Sequence, residues 1–297
     1  MAQRVGLLGL GIMGSAYAGH LIDAGFETSG FDIDPDAMRR FEERGGRGAA
    51  DQRALARESH VVISALPSVA AADDAFFGAD GMAAGAHAGL IVVEASTLPL
   101  EAKERYRNGL AAQGVPVLDA PVSGTGSQAR VKDLAIYASG ERAAFDAVAG
   151  VLGTFARVVR YVGEFGVGSK LKYIANLLVT IHNAATAEAV VFAQKAGIDP
   201  AMMIEVVGEG AGASRMLAVR GPMMAAGSYE PAAMKLDVYQ KDIRVIADFA
   251  RQVGAPTPLF AQSSVFYKTA LAQDRGKQDT AAIASVLKTM ARLAPDP

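Results

Sequence analysis

Short apolar runs recur through the first half of the chain, separated by stretches with helical periodicity. The runs are 3–8 (QRVGLL), 27–32 (ETSGFD), 60–66 (HVVISAL), 89–96 (GLIVVEAS), 115–120 (VPVLDA), 134–139 (LAIYAS) and 156–162 (ARVVRYV). An amphipathic helix is predicted over 15–24 and another over 98–114. Strand alternating with helix predicts a mostly parallel sheet covered on both faces. After Gly163 the pattern changes. Helices are predicted at 169–196, 200–208, 231–253, 257–274 and 279–293, punctuated by Gly197, Gly254, Pro200, Pro256 and Pro258. The reading is an α/β domain over 1–164 and an all-α domain over 165–297, joined by the long helix at about 169–196.

Composition narrows the picture little. Of 297 residues, 51% are hydrophobic and 20% charged, as in ordinary globular domains. A net charge of -2 argues against nucleic acid or an anionic membrane surface as partner. The lack of cysteine excludes disulfides, thiolate metal sites and a cysteine nucleophile. The four histidines, 20, 60, 87 and 182, show no ligand spacing, so no metal site is expected. No apolar run is read as long enough to cross a membrane. The first nineteen residues imitate a short signal peptide, but their glycine spacing has a better explanation, and a cytoplasmic location is expected.

That explanation is G-x-G-x-x-G. Gly9, Gly11 and Gly14, with Leu10, Ile12 and Met13 between them, follow the first strand and open a helix. An acid, Asp32, ends the second strand. The first glycine permits a tight turn, the second lets backbone approach a pyrophosphate, and the third lets helix and strand pack closely. The pyrophosphate then rests on the helix N-terminus, where free N–H groups and the dipole favour it. Asp32 would accept ribose hydroxyls and repel a 2′-phosphate, favouring NAD over NADP. A glycine-rich structural turn is the plain alternative. The predicted fold is a Rossmann-type doubly wound sheet followed by the helical domain. In such sheets the carboxyl ends of the strands line the ligand crevice. Those ends carry Leu66-Pro67, Ser96-Thr97 and the run Asp119 to Gly124.

The stretch GVGSKLKYIANLL, 166–178, opens the longest apolar helix with two lysines. Positions two apart point to nearly opposite sides of a helix, and positions four apart stack. Lys172 shares a stripe with Asn176, Val179 and Asn183, while Lys170 lies elsewhere and is expected in solvent. Buried polar groups need partners, so the stripe is expected to face a polar cavity. A lysine in a partly desolvated pocket can act as general acid/base. Helix geometry alone leaves this reading and a snorkelling or salt-bridged Lys172 equally open.

Taken together, the motifs resemble the β-hydroxyacid dehydrogenases, the 3-hydroxyisobutyrate dehydrogenase group related to 6-phosphogluconate dehydrogenase. The resemblance rests on GLGIMG at 9–14, DAPVSG at 119–124, GSKLKYIAN at 168–176 and QKDIRV at 240–245. It implies that Lys172 moves the hydroxyl proton as hydride passes to or from the nicotinamide, with Asn176 assisting. It implies that Ser123 and Gly124 bind the substrate carboxylate, that Leu66, Pro67 and Thr97 touch the cofactor, and that Lys241 closes over it from the second domain. A small hydroxy acid or its semialdehyde is the implied partner.

The sequence also departs from the family pattern. Thr125 stands where glycine is usual, and Ser127 and Lys132-Asp133 replace small residues. Thr125 adds a hydroxyl beside the expected carboxylate site, which puts 3-hydroxyisobutyrate itself in doubt. Arg220, in SRMLAVRGPMM, is a further candidate for an anionic substrate group, with a surface or interface role as the alternative. The competing functions are an NADPH-dependent reductase of the glyoxylate or succinic semialdehyde type, an imine reductase and a catalytically silent NAD-binding module. Asp32 counts against the first, Lys172 against the second, and the intact Lys172–Asn176 pair against the third. The apolar length of the 171–193 helix predicts self-association as a homodimer or homotetramer.

Overall fold

The computed structural model describes residues 3–294 and 296. The chain divides into two compact units, 1–172 and 173–297. The division falls inside the long helix rather than ahead of it at 164/165.

The first unit begins β1 (Arg4–Leu8), α1 (Ile12–Asp23), β2 (Glu27–Phe31), α2 (Pro35–Glu43), β3 (Arg47–Gly48), α3 (Gln52–Glu58) and β4 (Val61–Ser64). It continues α4 (Val69–Phe77), β5 (Ile91–Glu94), α5 (Leu100–Ala111), β6 (Val117–Asp119), β7 (Val122–Ser123), α6 (Gly126–Arg130), β8 (Ala135–Ala138), α7 (Arg142–Phe155) and β9 (Val158–Tyr161). Helix α8 (Val167–Lys195) follows and runs on into the second unit.

Six strands form one parallel sheet in the order β3-β2-β1-β4-β5-β6. This is the doubly wound order, with β1 at the point where the winding reverses. The strands at 135–138 and 158–161 do not extend that sheet. With β7 they make a second sheet, β7-β8-β9, joined to the first through the bridge between Asp119 and Ser139. Both faces of the main sheet are covered, as the continuous apolar runs require. On one face α1 and α7 bring Tyr17, Leu21, Val148, Leu152 and Phe155, with the Tyr17 and Phe155 rings stacked at 4.4 Å. On the other, α3, α4 and α5 bring Leu55, Phe76 and Tyr106, the last two rings again 4.4 Å apart.

The second unit is helical, with no named strand among the described residues. After α8 come α9 (Pro200–Gly208), α10 (Arg215–Ala226), α11 (Leu236–Gln252), α12 (Pro258–Ala272) and α13 (Ile283–Met290). Helix α10 was not expected, and α11 starts at Leu236 instead of 231. By length and composition α8 is also apolar enough to cross a bilayer, contrary to expectation. Its polar stripe explains why it is a core helix instead. Thr180 and Asn183 are fully buried, and their partners come from α11, α12 and the turn before α13. Thr180 Oγ1 meets Tyr239 Oη at 3.0 Å, and Asn183 Nδ2 donates to Tyr267 Oη and Thr280 O, both at 2.9 Å. The far end of the stripe therefore packs on tyrosine hydroxyls, not on the cavity expected from the sequence.

A second polar knot closes this unit. Lys288 Nζ donates to Met224 O at 3.0 Å and to Asp296 Oδ1 at 2.5 Å. Tyr229 Oη and Ser285 Oγ also donate to Asp296. Burial alone would raise the Asp296 pKa, but hydrogen bonds from Lys288, Ser285 and Tyr229 and the lysine charge outweigh it and hold the carboxyl below its usual range. A lowered folded-state pKa gives stability that is present above the free value of about 4 and lost as pH falls through the lowered one. Asp296→Asn is expected to lower the melting temperature at pH 7. In thermal melts taken across pH, its gap from wild type should close progressively below about pH 4.

Candidate active site

The glycine turn sits at the carboxyl end of β1, at the reversal point of the sheet. Gly9 adopts φ +92, a conformation that side chains resist. A Cβ on Gly14 would run into the Gly9 carbonyl oxygen, so α1 packs against the turn only with glycine there. A Cβ on Gly11 would meet nothing within 4 Å, and Gly11 and Ile12 are exposed. No side chain caps α1, whose N-cap is Gly11. An uncapped helix start beside open, glycine-lined backbone is what a pyrophosphate needs. Leu10 is buried in the core beneath the turn, and Met13 is half-buried.

Asp32 lies just past β2. Its Oδ2 accepts from Leu10 N at 2.6 Å and its Oδ1 from Asp34 N at 2.9 Å. The carboxylate is thus held at the edge of the glycine turn, where an adenosine ribose would lie in a dinucleotide site. These residues fit a dinucleotide.

The other strand ends are tied together from beneath. Leu66 N, after β4, donates to Ser96 Oγ at 2.9 Å. Ser96 N donates in turn to Glu94 Oε1 at 3.1 Å. Glu94, at the end of β5, and Asp119, at the end of β6, hold Lys103 of α5 between them, each 2.8 Å from Nζ. All three side chains are fully buried. Burial would depress the Lys103 pKa, but Asp119 and Glu94 more than reverse this and push it above the usual lysine value. Pro67 is exposed and Thr97 half-buried on the loops above.

Ser123 and Gly124 lie in and just after β7, and both are half-buried. Thr125 is the N-cap of α6, and Gln128 Oε1 accepts from its N–H at 3.1 Å. Its hydroxyl lies 2.9 Å from Ser127 Oγ. Gln128 Nε2 donates to Asp133 Oδ2 at 3.0 Å, and Arg157 Nε to Asp133 Oδ1 at 2.9 Å. The departures from the family pattern at Thr125, Ser127 and Asp133 therefore belong to one braced loop.

Lys172 and Asn176 stand one turn apart on α8, 7% and 5% exposed, whereas Lys170 is exposed, as expected. Asn176 Nδ2 donates to Asp242 Oδ2 at 2.9 Å, and Asn176 O accepts from Tyr239 Oη at 3.0 Å. Asp242 Oδ1 lies 3.2 Å from Lys241 Nζ. Within the second unit, the Lys241-Asp242 pair is thus linked to Asn176 and is not a detached surface pair. Arg220 is 4% exposed, and its Nε donates to buried Asp279 at 3.1 Å. That carboxylate also accepts from Ala233 N, Met234 N and Ala281 N. Arg220 therefore serves as an internal ion pair of the helical unit, which argues against the substrate role suggested by its sequence setting. Lys103 and Glu94 escaped the sequence reading, because nothing in their local pattern separates them from surface charges or strand ends. Among the described residues no cluster has the make-up of a metal site.

The glycine geometry makes a paired prediction. Gly11→Ala should fold with an unchanged melting temperature yet bind dinucleotide at least about tenfold more weakly, since its methyl fills only the phosphate approach. Gly14→Ala should lower the melting temperature itself. Thermal melts and cofactor titration by fluorescence check both.

Comparison with known proteins agrees with this geometry. Residues 4–163 match the family model for the NAD binding domain of 6-phosphogluconate dehydrogenase. Residues 166–287 match the model described as NAD-binding of NADP-dependent 3-hydroxyisobutyrate dehydrogenase. The L-threonate dehydrogenase of Cupriavidus necator is 33% identical over 96% of both chains. The 3-hydroxyisobutyrate dehydrogenase of Pseudomonas aeruginosa is 31% identical, covering 86% of this chain and 88% of its own. A crystal structure of 3-hydroxyisobutyrate dehydrogenase from Salmonella typhimurium superposes with a TM-score of 0.85 at 31% identity, covering 96% of this chain and 99% of that one. With a glycine turn built for a dinucleotide and both family models matched in order, the chain belongs to the NAD(P)-dependent β-hydroxyacid dehydrogenase family.

Proposed function

We propose that the protein oxidises a small 3-hydroxy acid with NAD, or reduces the corresponding semialdehyde, with Lys172 as general acid/base. The observation that carries this reading is the placement of Lys172. It is nearly buried, with Asn176 one turn on, on a helix whose first turn is fastened to the DAPVSG loop through Ser169 and Asp119. The same loop bears Ser123 and Gly124.

When bound, the nicotinamide supplies a two-electron hydride acceptor. Lys172 Nζ, as the neutral amine, takes the proton of the substrate hydroxyl while the carbon beneath it loses hydride and becomes a carbonyl. In the reductive direction the ammonium returns that proton to the oxygen. Asn176 orients the reacting oxygen, and its own amide is held by Asp242. Ser123 Oγ and the Gly124 backbone hold the carboxylate.

Asp32 supports NAD over NADP, because a carboxylate fixed at the glycine turn repels a 2′-phosphate. The hydroxyls of Thr125 and Ser127 beside that carboxylate site support a polyhydroxylated acid over 3-hydroxyisobutyrate, since they offer partners that an aliphatic substituent leaves unused. Two copies packing their helical units together is supported by Ile174, Leu178 and Phe192 of α8 and Met202 and Val206 of α9, all exposed apolar side chains.

The reading is tested by NAD and NADP reduction at saturating small hydroxy acids: 3-hydroxyisobutyrate, 3-hydroxypropionate, 4-hydroxybutyrate, glycerate and threonate. Turnover with NAD on a hydroxylated member is expected, falling at least a hundredfold in Lys172→Ala. Cofactor binding with no turnover on any member, or Lys172→Ala at the wild-type rate, would contradict it.

A further inference from the structure

We propose that the buried Glu94–Lys103–Asp119 node is a positioning device that fixes the first turn of α8, and with it Lys172, relative to the strand ends that carry the cofactor-side loops. The proposal rests on the assignment of Lys172 as general acid/base.

The first turn of a helix leaves N–H groups without helical partners. In α8 two of these are satisfied by side chains from distant strands. Gly168 N donates to Ser139 Oγ at 3.0 Å, and Ser169 N donates to Asp119 Oδ2 at 2.7 Å. Ser169 Oγ adds a second bond to Asp119, at 2.7 Å to Oδ1. Ser139 Oγ also donates to Asp119 Oδ2 at 3.1 Å, so the two anchors brace each other. Val167 N is bound to Glu164 O and Lys170 N to Gly166 O, which completes the turn. A carboxylate is a strong cap there, because the helix dipole favours negative charge at its N-terminus. The approach is close: a Cβ on Gly168 would run into the Tyr137 carbonyl oxygen.

The anchor continues beneath the loops. Asp119 holds Lys103, Lys103 holds Glu94, Glu94 holds Ser96 N, and Ser96 holds Leu66 N. One polar chain therefore runs from the end of β4, through the ends of β5 and β6, into the start of α8. A connected network without solvent has one low-energy geometry, since any slip leaves a buried polar group unpaired. Lys172 is three residues past Ser169, less than one helical turn, so a shift of the anchor carries its amine directly. Proton transfer is sensitive to such shifts, because small displacements of catalytic groups cost rate steeply.

The test is Ser169→Ala, which removes one bond to Asp119 and leaves the backbone bond in place. The expected result is a kcat lower by about tenfold, KM and fluorescence-measured cofactor binding within about twofold, and rescue by Ser169→Thr. Adding Ser169→Ala to Lys172→Ala should leave its residual rate unchanged. Ser139→Ala, which loosens the neighbouring anchor, should give the same kcat-specific loss and serves if Ser169→Ala does not fold. Wild-type kcat in a folded Ser169→Ala enzyme, or equal losses with and without Lys172, would overturn the positioning role while leaving the acid/base assignment standing. Wild-type rate in Lys172→Ala would overturn that assignment as well.

Discussion

The Asp119 carboxylate ties together four elements of the first unit. It ends β6, pairs with Lys103, accepts from Ser139 and takes both the N–H and the hydroxyl of Ser169. A carboxylate removed from water costs several kcal/mol unless it is paired and hydrogen-bonded, and breaking such a pair typically costs about 3–5 kcal/mol. Asp119 meets both conditions only if β6, α5, β8 and the start of α8 are all in place. Its burial thus makes four elements of the first unit depend on one another, and the turn that carries Lys172 is one of them.

Two helix N-termini in this unit are treated in opposite ways, and the contrast separates binding from positioning. Helix α1 starts at an uncapped glycine, open to solvent, with its field available to an anion. Helix α8 starts against a buried carboxylate and a serine hydroxyl, with its first N–H groups already used. The first arrangement suits a diphosphate that comes and goes. The second suits a helix that would hold the proposed proton-transfer group, Lys172, in one place.

Much of this was legible in the sequence where the signal is local. The glycine turn, the alternation of strand and helix and the long apolar helix each lie within one stretch of chain, and each was found. The β8–β9 pair was read as strand, but nothing local says that it joins a second sheet. Helix α10 was hidden because Gly221 and Pro222 sit inside it and read as punctuation. Lys103 lies in LEAKERYRNGLA, where it looks like any charge on an amphipathic helix, and only the sheet order brings Glu94 and Asp119 around it. Arg220 looked available for a substrate because its partner, Asp279, is 59 residues away. The charges that matter most here are satisfied by long-range pairing, which no local pattern records.

The central claim is that Lys172 supplies the proton transfer, and chemical rescue tests it most directly. A Lys172→Ala enzyme, loaded with NAD and a substrate turned over by the wild type, would be assayed with increasing concentrations of methylamine. The account predicts that the lost rate returns in proportion to the free amine and that cofactor binding stays constant. A rate that ignores the amine while substrate and cofactor still bind, or a variant that needs no rescue, would contradict it.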